Sequence, residues 1–278
     1  MPYSFQPDAM YRMPTHFGPR TGPRRGPDGR GFDCIDSPKS ISYSVSYLTH
    51  SEAAEALLPP GFALNGEAVV TISATYMKEI DWLAGRGYNT LGASLPVSYC
   101  GRKDNVSGSL LLVLWENLTD PILTGREELG FSKIYCELPE PVVYNGTNHC
   151  VGSWLGFRFL DLRLHGMTEL SEQEIAALSE KAGGDGTLHY KYVPRTGEWG
   201  TADAEYAVLT PAHTPNRRVL GMWRGEGTVA WHRARWEDMP TQYNIVNCLA
   251  DLEILEYRGA TIAQTIGGKD LSDQRILE

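Results

Sequence analysis

The stretch Ile41-Ser42-Tyr43-Ser44-Val45-Ser46-Tyr47 alternates apolar and hydroxyl side chains without a break. That period of two constrains the fold more than any other feature. In an extended chain it gives one face to a core and the other to water. Strand-like runs recur at 68–76, 91–99, 110–115, 133–138, 154–164, 188–193, 204–209, 219–229 and 252–256, with Gly, Pro and Asn turns between them. Two helices are predicted. The first covers 51–58 and is stopped by Pro59-Pro60; the second covers 171–182, opened by the capping box Ser171-x-x-Glu174 and closed by Gly183-Gly184. Many short strands and few helices predict a mostly β (α+β) fold, an antiparallel barrel or sandwich. No repeat or linker divides residues 39–278, so one domain is expected there. Residues 1–38 form a Pro/Gly/Arg-rich arm that cannot bury enough apolar surface to fold by itself.

Charge and cysteine usage exclude several classes. A net charge of −9 argues against a nucleic-acid partner, which needs clustered cations. No apolar run reaches the roughly 18 residues that would cross a bilayer, so no membrane partner is expected. Met1 to Arg30 has no apolar core of a secretory signal. The five cysteines are odd in number and form no C-x-x-C pair, which predicts reduced, mostly buried thiols in a cytoplasmic protein. His149 and Cys150 are adjacent, but no second pair stands at ligand spacing, and the histidines show no H-x-x-x-H pattern. Neither a metal nor another cofactor is expected, and a metal-dependent hydrolase has little support.

Amine chemistry has to come from one of seven lysines: Lys39, Lys78, Lys103, Lys133, Lys181, Lys191 and Lys269. Arginine does not deprotonate in a protein. Lys39, Lys103, Lys181 and Lys269 sit near loop signals, and Lys78 precedes Glu79. Lys133 and Lys191 each interrupt an apolar strand. Around Lys133 stand Phe131, Ile134, Tyr135 and Cys136. Desolvation there favours the free amine, the form that attacks a carbonyl to make an imine. The same pattern also suits a strand lysine whose head snorkels to water. Glu127 has two readings as well, because Thr124-x-x-Glu127 is a capping-box pattern that fixes a carboxylate whether or not it carries protons.

The segment Gly125-Arg126-Glu127-Glu128-Leu129-Gly130-Phe131-Ser132-Lys133 resembles the Gly-Arg-Glu-x-x-Gly-Phe-Pro-Lys segment of the acetoacetate decarboxylase superfamily. Tyr88-Asn89-Thr90-Leu91 and Pro96-Val97-Ser98-Tyr99-Cys100-Gly101 are similar to the strand pair that precedes it. The resemblance implies a cone-shaped β-barrel enclosing an apolar cavity, and a homo-oligomer. It implies a lyase in which Lys133 forms a Schiff base with a small keto or aldehyde substrate, followed by decarboxylation or aldol, retro-aldol and dehydration chemistry. In that reading Glu127 or Glu128 carries protons and Tyr88 donates or positions through its hydroxyl. Arg126 holds a substrate carboxylate, unless it serves only as a structural ion pair. His16 closes the cavity from the arm or packs across a subunit boundary.

The departures are specific. Ile134 stands where the decarboxylases carry a second lysine, and Ser132 replaces the proline. Tyr88-Asn89-Thr90 lacks the acid of the Tyr-x-Glu pattern, and Ser40 stands near where the first strand should carry an arginine. Desolvation is then the main means of lowering the Lys133 pKa, and the expected substrate moves from acetoacetate toward those of aldolase-dehydratases. The competing reading is a catalytically inactive β-barrel that binds a small apolar ligand.

Overall fold

The computed structural model describes residues 4–20, 24–181 and 183–278. Among these the strands are β1 (Lys39–Leu48), β2 (Phe62–Leu64), β3 (Val69–Ile80), β4 (Arg86–Cys100), β5 (Asn105–Glu116), β6 (Lys133–Tyr135) and β7 (Val142–Tyr144). They continue with β8 (Thr147–Trp154), β9 (Phe157–Glu169), β10 (Gly186–Pro194), β11 (Ala202–Pro211), β12 (Arg218–Trp231), β13 (Glu256–Ile266) and β14 (Arg275–Ile276). The α-helices are α1 (Ser51–Glu55), α2 (Thr119–Thr124), α3 (Glu172–Lys181) and α4 (Tyr243–Ala250).

The strands form one mixed sheet in the order β14-β11-β10-β5-β4-β3-β1-β13-β12-β9-β8-β7, with β2 on β4 and β6 on β5. The fold is therefore mostly β, as expected. Its ladder stays open, with no pairing between β14 and β7, so the hydrogen bonds do not close a barrel. Neighbours pair antiparallel except at β5, which meets both β10 and β6 in parallel. β10 takes Gly108–Leu110 and β6 takes Leu114–Glu116, so two elements share one edge of β5.

The alternation in β1 has the anticipated result. Tyr43, Val45 and Tyr47 enter the core, while Ser42, Ser44 and Ser46 pair across the strand with Thr75, Ser73 and Thr71 at 2.8, 2.8 and 2.9 Å. Trp115, Phe159, Ile72, Leu95, Leu110 and Leu162 are among the largest fully buried side chains. The capping box at α3 also forms, with Ser171 and Glu174 exchanging hydrogen bonds; Ala182, its expected end, lies outside the described residues.

Other expectations change. The run 154–164 is broken by a turn, because Leu155 and Gly156 take positive φ between β8 and β9. Residues 252–255 do not form a strand, and β13 starts only at Glu256. α1 is shorter than predicted, since its last turn gives way before the prolines. Cys136 and Cys150 are buried, but Cys100 and Cys248 are exposed and Cys34 is half-buried, so the thiols are not mostly hidden. Lys269, read from its loop signals, is largely buried: its side chain is 11% exposed and its ammonium bonds Asp273 at 2.7 Å.

Candidate active site

The register of three strands builds the site. Met77 lies opposite Tyr88, Thr90 opposite Glu116, and Leu114 opposite Lys133. Directly opposed residues share a face, as do residues two apart. Met77, Tyr88, Thr90, Leu114, Glu116 and Lys133 therefore point the same way. Trp115 points the other way, into the core, where its Nε1 donates to Gln242 Oε1 at 2.8 Å. Gln242 in turn donates to Tyr135 O at 2.9 Å, so one buried amide ties β5 to β6 behind the lysine.

Lys133 is reached through a short helical segment. In α2, Asp120 faces the positive helix end, and Pro121 sits in the first turn where a missing N–H is tolerated. The helix widens into one π-helical turn, Gly125–Leu129, a rare form found mostly at functional sites. Gly130 ends it in the left-handed region at φ 79°, where a Cβ would also press on Lys191 Cβ at 3.0 Å. Gly125 is demanded by space. A Cβ there would stand 2.3 Å from Lys133 Cδ and 2.9 Å from its Nζ, so the lysine side chain lies directly across the bare glycine.

Lys133 is 3% exposed and Glu116 is fully buried. Nζ stands 2.9 Å from Glu116 Oε1, donates to Pro121 O at 3.1 Å and lies 4.9 Å from the centre of the Phe131 ring. The approach to Glu116 is an ion-pair contact, and neither carboxylate oxygen completes a well-directed hydrogen bond. Burial drives the Lys133 pKa below its ordinary value; Glu116 opposes this and the charge of Arg24 adds to it. Burial likewise raises the Glu116 carboxyl, against the opposite pull of Lys133. Both shifts favour a neutral amine beside a neutral acid. Tyr88 is buried and its hydroxyl is pushed well above the phenol range, first by burial and then by Glu116. Buried His189 stacks on Phe131 at 4.0 Å; its pKa is driven down to about 3 by burial and by the charge of Lys133.

The structure distributes the remaining sequence candidates around this pair. Arg126 is exposed and donates to the Lys133 carbonyl at 2.8 Å, holding the lysine's backbone. The Glu127 carbonyl accepts from Lys191 at 2.7 Å, and residue 127 lines an open pocket of about 270 Å³ with Arg126, Phe131 and Lys191. Glu128 faces the arm, 3.4 Å from Arg12 and 3.9 Å from Arg20. His16 is exposed on the arm's turn Thr15–Phe17 and lines neither pocket beside the lysine. The expected Thr124–Glu127 capping box does not form. Thr124 is already helical, and its hydroxyl instead accepts from Arg12.

Two residues of the site were not anticipated. Glu116 puts a carboxylate directly across the ladder from Thr90, the position where the Tyr-x-Glu pattern would carry its acid. Arg24 comes from the arm and, with Phe32, Met77, Ile80, Trp82 and Tyr88, lines a cavity of about 150 Å³. A strand residue breaking an apolar run at its end was the available signal for Glu116. For Arg24 no local signal existed.

The acetoacetate decarboxylase (ADC) family profile matches residues 12–266. An acetoacetate decarboxylase from Legionella pneumophila aligns at 17% identity over 91% of this chain and 92% of its own, with a TM-score of 0.65. An acetoacetate decarboxylase-like enzyme from Sphingomonas wittichii RW1 aligns at 19% identity over 89% and 94%, with a TM-score of 0.61. The enduracididine biosynthesis enzyme MppR, in complex with the condensation product of pyruvate and imidazole 4-carboxaldehyde, aligns at 17% identity over 92% and 97%, with a TM-score of 0.60. No curated protein matches the chain significantly.

Proposed function

The chain belongs to the acetoacetate decarboxylase family, and from that premise we propose that it is a lyase whose Lys133 forms an imine with a small keto or aldehyde substrate. The observation that carries this reading is the buried contact of Nζ with Glu116 at 2.9 Å, in a setting that favours the uncharged form of both. A buried lysine–glutamate pair is costly to retain for stability alone, which weighs against an idle apolar-ligand barrel.

The chemistry runs as follows. The ammonium of Lys133 passes a proton to Glu116. The free amine attacks the carbonyl carbon, forming the C–N bond as the carbonyl π pair moves to oxygen, and one N–H proton passes from nitrogen to that oxygen to give the neutral carbinolamine. Glu116, now the acid, returns its proton to the carbinolamine oxygen, which leaves as water. The protonated imine then draws electrons from the adjacent carbon, through loss of carbon dioxide or through making or breaking a carbon–carbon bond. Tyr88, held neutral by burial, can only donate or accept a hydrogen bond. Glu127 and Glu128 face the outer pocket and the arm, so Glu116 is the better candidate for the proton carrier.

The MppR complex with a pyruvate-derived condensation product is consistent with an aldol-type step on such a scaffold. The test is product analysis with 2-keto and 3-keto acids, each alone and with an aldehyde, on the wild type and on Lys133→Arg. Carbon dioxide release or a new carbon–carbon bond is expected from the wild type only, with folding kept in the variant, because arginine supplies no free amine. Turnover retained in Lys133→Arg would move the chemistry to another residue.

A further inference from the structure

His189 is a buried titratable side chain that the chemistry above does not use. It is fully buried on β10, and burial together with the charge of Lys133 keeps its imidazole neutral. One nitrogen is anchored: Nε2 lies 2.9 Å from Thr210 Oγ1, and that oxygen accepts from Gln274 Nε2 at 2.5 Å. The threonine proton is therefore free to point at the imidazole, which assigns the ring hydrogen to Nδ1. Nδ1 is buried with no hydrogen-bond partner among the described residues. A buried N–H without an acceptor is costly, so filling space in the core does not by itself account for a histidine here. The ring packs on Phe131, with centres 4.0 Å apart and planes tilted by 43°.

The strand register explains that contact. His189 stands opposite Val208 and two residues from Lys191, and Thr210 follows Val208 by two, so these four side chains share one face of the β10–β11 pair. That face is docked on the segment leading to the lysine. Lys191 bonds the Glu127 carbonyl at 2.7 Å, and a Cβ on Gly130 would meet Lys191 Cβ at 3.0 Å and Val208 Cγ2 at 3.2 Å. Phe131 follows directly and is half-buried. It lines the open outer pocket, which Lys133 does not, and Lys133 Nζ lies 4.9 Å from its ring centre. One ring therefore borders both the pocket and the amine. We propose that His189 is a positioning residue: clamped through Thr210 and Gln274, it holds the Phe131 ring over the Lys133 amine and shuts out water from the outer pocket. The proposal rests on the imine reading for why the amine has to stay dry. The groups that face the amine from other elements are Glu116 on β5, Arg24 on the arm and the neutral Tyr88 on β4, and a change at His189 alters none of them. Leucine in place of a neutral imidazole removes no charge, so its effect on Lys133 has to travel through packing.

The measurement is the pH midpoint of Lys133 acetylation by trace acetic anhydride on the full chain, read by peptide mass. Borohydride trapping of pyruvate is followed on the same proteins. Water holds an ammonium better than a ring face does, so a displaced Phe131 raises the pKa of the amine. His189→Leu should move the midpoint up by about one pH unit and slow trapping at neutral pH by about tenfold. Thr210→Val, close to threonine in shape, loosens the clamp and should move the midpoint the same way by less. Phe131→Leu should move it at least as far as His189→Leu, and the double variant no further than Phe131→Leu alone, because residues acting through one contact do not add. Circular dichroism checks folding, and if His189→Leu does not fold, Thr210→Val decides. Unchanged midpoints in the folded variants, or additive shifts in the double variant, would overturn the assignment. Shifted midpoints with no trapped adduct in wild type would sink the imine reading and leave His189 as the support of Phe131.

Discussion

Substituting Gly125 by alanine separates site geometry from stability. The residue has helical φ and ψ of −63° and −44°, so alanine fits the backbone, and the gain in helix propensity is up to about 1 kcal/mol. The added methyl would stand 2.3 Å from Lys133 Cδ, 2.6 Å from Cε and 2.9 Å from Nζ. Carbon–carbon contact needs about 3.5 Å, so the lysine tail must retreat by about 1 Å. That retreat breaks the 2.9 Å approach to Glu116 and the 3.1 Å bond to Pro121 O. Overpacking costs about 1–3 kcal/mol, partly offset by propensity, so urea unfolding should show a loss of about 0–2 kcal/mol. A displacement of about 1 Å at a reacting group costs about a hundredfold in rate. Borohydride trapping under single-turnover conditions should therefore slow by about that factor while the protein stays folded. Trapping within threefold of wild type would refute the claim that Gly125 exists to seat Lys133.

Two further predictions concern the buried pair. Lys133→Met leaves Glu116 buried without its partner, which removes the pull that lowered its pKa. A carboxyl with a raised folded pKa contributes stability at low pH and loses it as pH rises through that value. The variant should therefore be about 3 kcal/mol less stable than wild type at pH 8 and less penalised at pH 5, whereas Lys133→Met with Glu116→Leu should recover most of the loss. A pH-independent penalty in urea unfolding would contradict the pairing. Glu116→Gln and Arg24→Leu should move the pH dependence of trapping in opposite directions. Glu116 holds the Lys133 pKa up and Arg24 holds it down, so the acid limb should shift to lower pH in the first and to higher pH in the second; shifts of the same sign would rule out that arrangement.

The parts of the site that were legible in the sequence are those set by local rules. Lys133 announced itself as a charge inside an apolar strand flanked by a family segment, and β1 and the α3 cap followed from periodicity and capping chemistry. Glu116 was hidden because the apolar run ends at Trp115, and Glu116-Asn117 reads as the start of a turn. Only the register that places it opposite Thr90 shows it pointing at the lysine. Arg24 was beyond reach because the composition of the arm describes an unfolded chain, and its position depends on contacts with Trp82, distant in sequence. Helix α4 was missed for a related reason. Gln242, Asn244 and Asn247 resemble turn residues, and two buried side chains, Val246 and Leu249, make too narrow a stripe to read. Glu127 and Glu128 drew attention by proximity in sequence, while the π turn directs one toward the outer pocket and the other toward the arm.

The central claim is that the Lys133 amine becomes covalently bound to a carbonyl substrate. The most direct measurement is peptide mass mapping after incubation with keto acids and borohydride. The account predicts a single reduced adduct on the peptide that contains Lys133, absent without substrate and absent in Lys133→Arg. An adduct on Lys191 instead, or none where a known imine-forming enzyme is labelled in parallel, would contradict it.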